Sequence, residues 1–191
     1  SFLSLSDGGR RAEQKVVKLE SLNDYLDDQI EDAILWLSRR SLTEDEGQRT
    51  ILLVRMSNLL ERLGDHAEDI GDLAAGVREK GRALPKDQVE QLASVYEMLR
   101  DNLQQLGGCL LDVNDETKAQ VKMGTVTMNA RINAVYRVHL ERMKDAGLPS
   151  DSTMLELLTT MESANDKVRE LVAMASEYSY IAARQGITGC S

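Results

Sequence analysis

Aromatic residues and prolines are scarce in this 191-residue chain: one Trp, five Tyr, one Phe and two Pro. An all-β domain of this length uses more of both, so the composition leans to helix. Cysteine is scarcer still. Cys109 and Cys190 are too few for a disulfide framework and read as ordinary thiols, in keeping with a reducing compartment. No uninterrupted apolar run exceeds five residues, too short for a bilayer-spanning helix. The opening Ser-Phe-Leu-Ser-Leu-Ser-Asp has neither a basic n-region nor a long apolar stretch, so no signal peptide is expected. Basic charge is also in deficit. Lys and Arg number 23 against 32 Asp and Glu, a net charge of −9. Nucleic acid is therefore not an expected partner, because phosphate neutralisation needs clustered Lys and Arg.

What is present is helical period. Leu19, Leu22, Leu26, Ile30, Ala33 and Leu37 step by three or four, which marks one stripe of an α-helix. Val89, Leu92, Tyr96, Leu99, Leu103, Leu106 and Leu110 alternate three and four like a bundle seam. Comparable stripes run from Leu52 through Met56, Leu59, Leu63 and Ile70 to Val77, and from Met154 through Leu158, Met161, Val168 and Leu171 to Ala175. Val121, Met128, Ile132, Val135 and His139 make a weaker one, with His139 expected to be a satisfied interior histidine. The methionines read as core filling and Trp36 as a partly buried packing residue.

The breaks agree. Thr43-Glu44-Asp45-Glu46 is a capping box, in which Thr43 accepts from the Glu46 amide and Glu46 reaches back. Asn114 suits an N-cap. Pro85 and Pro149 follow Gly81 and Gly147 as first-turn prolines follow helix-ending glycines. Five helices are predicted, over 9–40, 43–79, 86–112, 114–146 and 150–183. At about 1.5 Å per residue most are about 40–55 Å long. Long helices with short loops predict an all-α, up-and-down antiparallel bundle.

Acidic pairs recur within it. Glu61 and Asp65 stand four apart midway along the second helix, in Glu61-Arg62-Leu63-Gly64-Asp65-His66; Glu162 and Asp166 do so in the fifth. Glu20 and Asp24 occupy the first helix, and Asn129 and Asn133 the matching place in the fourth. The chain thus reads as two repeats: 9–79, lacking its leading helix, and 86–183, led by the third helix, with 184–191 a flexible tail.

The run Leu59-Leu60-Glu61-Arg62-Leu63-Gly64-Asp65-His66-Ala67-Glu68-Asp69-Ile70 closely resembles the signature of the PhoU family, helical phosphate-homeostasis proteins built from two three-helix repeats. Residues 28–42 and Tyr136-Arg137-Val138-His139-Leu140-Glu141-Arg142-Met143 look more like the PhoU-type region that follows the membrane part of bacterial sodium–phosphate cotransporters. In that family acidic motifs from neighbouring helices bind iron or zinc. The resemblance carries this role to Glu61 and Asp65, to Glu20 and Asp24, and to Glu162 and Asp166, with His66 a further candidate ligand. Asn129 and Asn133 depart from the pattern, as does Asn165, which stands where the first repeat has Gly64.

The chemistry is compatible with that role. Residues four apart share a helix face, with Cβ atoms about 5–6 Å apart. Two such pairs on antiparallel neighbours crowd carboxylates that a cation relieves, and oxygen ligands suit magnesium, manganese, calcium or iron, while the resemblance implies iron or zinc. Solvated acidic faces show the same spacing, so the spacing alone does not decide. Gly64 adds to it: glycine inside a helix costs about 1 kcal/mol against alanine, which implies close approach of another backbone or a ligand, and Gly71 and Gly76 extend the argument. No Ser/His/Asp or Cys/His constellation, phosphate-cradling loop or Glu-x-x-His pair is found, so no enzyme is expected. The implied protein is the metal-binding, regulatory, cytoplasmic-face portion of a sodium-dependent phosphate transporter at the inner membrane. Its expected partners are the transmembrane part and, through the open seam of the incomplete repeat, a second copy in a homodimer. A free-standing PhoU-type regulator and a metal-free helical adaptor are the alternatives.

Overall fold

The computed structural model describes residues 9–79, 84–108, 110–146 and 152–184. Among them five helices form: α1 (Gly9–Leu37), α2 (Glu44–Glu79), α3 (Lys86–Gly107), α4 (Asp115–Ala146) and α5 (Ser152–Arg184). The described residues contain no strand. Gly81, Gly147, Pro149 and both cysteines lie outside the described residues, as does the predicted tail beyond Arg184, which closes α5.

Local chemistry sets the boundaries. The Thr43 amide donates to Glu46 Oε2 at 2.8 Å, and the Glu46 amide donates to Thr43 Oγ1 at 3.3 Å, closing the capping box of α2. Those bonds hold the Glu46 carboxyl below its ordinary range. Asn114 Oδ1 accepts from the Thr117 amide at 2.8 Å and caps α4. Pro85 sits one residue earlier than a first-turn proline, at the N-cap of α3. α3 ends sooner than its stripe suggests, at Gly107 and Gly108, where the Gly108 amide folds back onto Gln104 O at 3.3 Å. Paired glycines stop a helix that a Leu at 110 would otherwise continue.

The core lies along α5. This helix packs against α2, α3 and α4, while α1 touches α2 alone among the described residues. Met154, Leu158, Met161, Val168, Leu171 and Ala175 are all buried, as are Val121, Met128, Ile132, Val135 and His139 of α4. Burying each large apolar side chain contributes about 1.5–3 kcal/mol. Arg49 ties α2 to α5 by donating to the Tyr178 hydroxyl at 2.9 Å while lying over the Tyr178 ring.

Two helices depart from their apolar stripes. In α3 the buried positions are Leu92, Val95, Leu99, Asn102 and Leu106, so Asn102 faces inward and Leu103 outward. In α1 the expected core stripe is inverted: Leu19, Leu22, Leu26 and Ile30 are exposed, whereas Asn23 and Asp27 are half-buried against α2. Trp36 is more than half exposed, with the Arg40 guanidinium stacked 3.8 Å from its ring centre. Periodicity alone marks the apolar stripe, but a helix turns toward whichever face a neighbour covers.

His139 is interior but not satisfied; neither ring nitrogen has a hydrogen-bond partner among the described residues. Burying such atoms unpaired costs about 1–3 kcal/mol. His139→Leu is expected to raise the chain's stability by about 1 kcal/mol in urea unfolding at neutral pH. A loss of stability would show that the imidazole holds a partner.

Candidate functional site

α1 and α2 run antiparallel, so residues ascending one face those descending the other. Near the middle, Asn23 Nδ2 lies 3.5 Å from the Glu61 carbonyl oxygen, and one turn further along Ser57 Oγ donates to Asp27 Oδ1 at 2.6 Å. Gly64 is explained here. A Cβ on it would come within 2.7 Å of Asn23 Nδ2, so the close neighbour is a side chain of α1. Gly71 and Gly76 have nothing within 4 Å, and the argument does not extend to them.

This junction collects negative charge. The Glu61 carboxyl is pushed above its ordinary value, first by burial, then by Asp65, Asp27 and Asp24 in that order; Arg62 opposes them. Desolvation and like charge both penalise the ionised form. Of the predicted ligands, Glu61 is half-buried at the seam, and Asp24 and Asp65 are exposed on its rim. The side chain of Glu20 lies outside the described residues. Asp27 and Ser57 were not legible as members: Asp27 sits in a run of acids with no apolar neighbour pattern to orient it, and only the pairing of α1 with α2 selects it. His66 points elsewhere. Five residues beyond Glu61, it lies about 140° further round the helix, with Nδ1 4.0 Å from Asp69 Oδ2.

The carboxylates form a rim rather than a closed shell. Among the described residues no group of three or more His, Cys, Asp or Glu stands close enough to hold a metal ion.

The corresponding place in α3, α4 and α5 is built from amides. Asn165 Nδ2 donates to Asn129 Oδ1 at 2.7 Å and to Thr125 O at 2.9 Å, and Asn102 Nδ2 donates to Asn165 Oδ1 at 3.2 Å. Asn102 and Asn165 are fully interior. Gly124 makes room for them, since a Cβ there would run into the Asn102 amide oxygen. Glu162 is half-buried, and α4 carries Asn129 and Asn133 where a second acidic pair would stand. Asp166 is paired within its own helix, accepting from Arg169 at 3.1 Å. This polar cluster is satisfied by neutral groups and leaves no carboxylate crowding for a cation to relieve.

The PhoU domain family model matches residues 1–74, which include all of α1 and most of α2. By this match residues 1–74 of the chain are similar to the PhoU domain. No curated protein and no solved structure matches it. No helix among the described residues is long and apolar enough to cross a membrane.

Two outcomes test this geometry. A folded-state carboxyl raised above its unfolded value keeps its proton longer in the folded chain, so stability falls as pH rises through the interval between the two. Glu61→Gln removes that penalty. In chelated buffer at pH 7 the variant is expected to melt about 1–3 °C above the parent, with the difference gone below about pH 4; an equal difference at both pH values would refute the charge argument. Gly124→Ala should collide with Asn102 and cost about 1–2 kcal/mol net of helix propensity, lowering the melting temperature by about 4 °C. Gly71→Ala, with nothing near it, should instead raise it.

Proposed function

We propose that this chain is a non-catalytic regulatory module of phosphate transport, with α1 as its movable part and a metal ion as its ligand. The observation that carries the reading is the PhoU domain match over residues 1–74; within that stretch the Glu61 carboxyl is raised, by burial first and then by Asp65, Asp27 and Asp24, where α1 meets α2. The family resemblance assigns an ion to Glu61, Asp65 and Asp24, and what the ion would supply is neutralisation of their charge. When that charge is neutralised, α1 closes along α2. When it is not, repulsion between Glu61 and the α1 aspartates loosens α1, whose seam contains Asn23 and Asp27 in place of apolar knobs. α5 keeps the rest of the bundle fixed through its contacts with α2, α3 and α4.

The physiological setting rests on the family. A PhoU-type module that reports metal or phosphate status acts by contact, and the similarity of residues 28–42 and 136–143 to the transporter branch supports the cytoplasmic portion of a sodium-dependent phosphate transporter. The partner on that reading is the transporter's transmembrane part at the cytoplasmic face of the inner membrane.

Titration with Mn²⁺, Fe²⁺, Zn²⁺ or Mg²⁺ into chelator-stripped protein should raise the melting temperature, by an amount that grows with the logarithm of free metal above saturation. Elemental analysis should find bound metal. Asp65→Asn and Glu61→Gln together should abolish both effects, whereas Glu162→Gln with Asp166→Asn should leave them unchanged. Equal metal content in the Glu61 and Asp65 double variant would sink the assignment.

A further inference from the structure

A groove of about 730 Å³ runs between the C-terminal half of α2 and the first turns of α5, a volume within the range of small-molecule sites. Its charge is of one sign. Asp69 and Asp72 stand on α2 and Glu156 on α5, and no Lys, Arg or His lines the groove among the described residues. The Thr159 and Thr160 hydroxyls already donate to the carbonyl oxygens of Leu155 at 2.9 Å and Glu156 at 3.0 Å, so what they have left to offer is lone pairs. Leu73, Val77 and Leu155 make the apolar part of the wall. The groove therefore calls for a ligand that donates hydrogen bonds, carries positive charge and covers hydrocarbon.

The other end of the same helix pair shows how such a place is filled. Setting Glu61 on Glu162 sets Asp69 on Glu170, Val77 on Tyr178 and Arg55 on Glu156. At that second place the chain supplies the cations itself. Lys167 donates to Glu170 at 3.2 Å, the Arg49 guanidinium lies 4.9 Å from the centre of the Tyr178 ring, and Arg55 replaces the third acid. In the groove, by contrast, Asp69 has His66 at 4.0 Å, a side chain that carries charge only when protonated. One end of the α2–α5 pair thus holds a cation over its wall as part of the chain, and the other presents wall and acids. We propose that this groove binds an aliphatic polyamine, whose methylenes cover the apolar wall while its ammonium groups meet Asp69, Asp72 and Glu156. A compact metal ion is the poorer match, because no three such groups among the described residues stand close enough to hold one. Asp69 and Asp72, three apart, have Cβ atoms about 5–6 Å apart on one helix face, and Glu156 stands on the other helix. Spaced acids suit spaced ammonium groups. Exposed ion pairs are individually weak, so affinity comes from making several at once with one molecule. Neither α1 nor Glu61 takes part, and the proposal does not rest on the metal reading.

Isothermal titration of spermidine into the chelator-stripped 191-residue chain, in about 0.1 M salt where remote charges are screened, tests it. Saturable one-to-one binding with a Kd of about 100 μM is expected, and butylamine, with a single ammonium group, should bind at least about tenfold more weakly. Asp72→Asn with Glu156→Gln should weaken spermidine binding about tenfold. Glu31→Gln with Asp32→Asn removes the same charge from an exposed part of α1 and should leave the Kd within about twofold of the parent. Gly76→Phe tests the groove by volume. Nothing lies within 4 Å of a Cβ built there, so the ring should fill the groove and abolish binding while the helical circular dichroism is kept. Absence of saturable spermidine binding would overturn the proposal. So would an equal loss of affinity in the two charge-neutralised variants, or a folded Gly76→Phe chain that binds like the parent.

Discussion

Like charge at the junction of α1 and α2 is the constraint on which the behaviour of the first helix turns. Glu61 is taken partly out of water and placed within reach of Asp24, Asp27 and Asp65, with Arg62 as the one opposing charge that acts on it. α1 has no second helix to lean on among the described residues. Its attachment is therefore decided by a seam in which polar and acidic side chains stand where a bundle ordinarily places Leu or Ile. Elsewhere the molecule is conventional, with an interior of Leu, Met and Val running the length of α5.

The three-helix unit answers the same packing problem with neutral groups. Where the hairpin has Gly64 receiving Asn23, the unit has Asn165 reaching across to Asn129 and Thr125, with Gly124 opened to admit Asn102. Amides can satisfy one another without a counterion, whereas carboxylates cannot. One half of the chain thus holds neutral amides at its centre and the other holds carboxylates.

Much of this was legible in the residues. The capping box at Thr43, the Asn114 cap and the stripes of α2, α4 and α5 announce their helices, because caps and three-four spacing act locally. The family signature around Gly64 singles out Glu61 and Asp65, and Glu61 stands at the seam of α1 and α2. What escaped was which face each helix presents. Leu19, Leu22 and Leu26 form a cleaner stripe than the one α1 turns toward α2, and Leu103 reads as the better core residue although Asn102, with Asn165 opposite it, is the one turned inward. Facing is decided by partners distant in sequence, and a polar residue is drawn inward only when its partner is already there. Asp27 and Ser57 were invisible for the same reason, and His66 was misled by adjacency, since neighbours in sequence lie a third of a turn apart.

Amide hydrogen exchange read helix by helix, on protein dilute enough to be monomeric, probes this most directly. The account predicts that α1 amides exchange orders of magnitude faster than those of α5 in chelated buffer at pH 7, and that divalent cation slows α1 while leaving α5 unchanged. Protection of α1 equal to that of α5 without any cation, and unaltered by adding one, would contradict it.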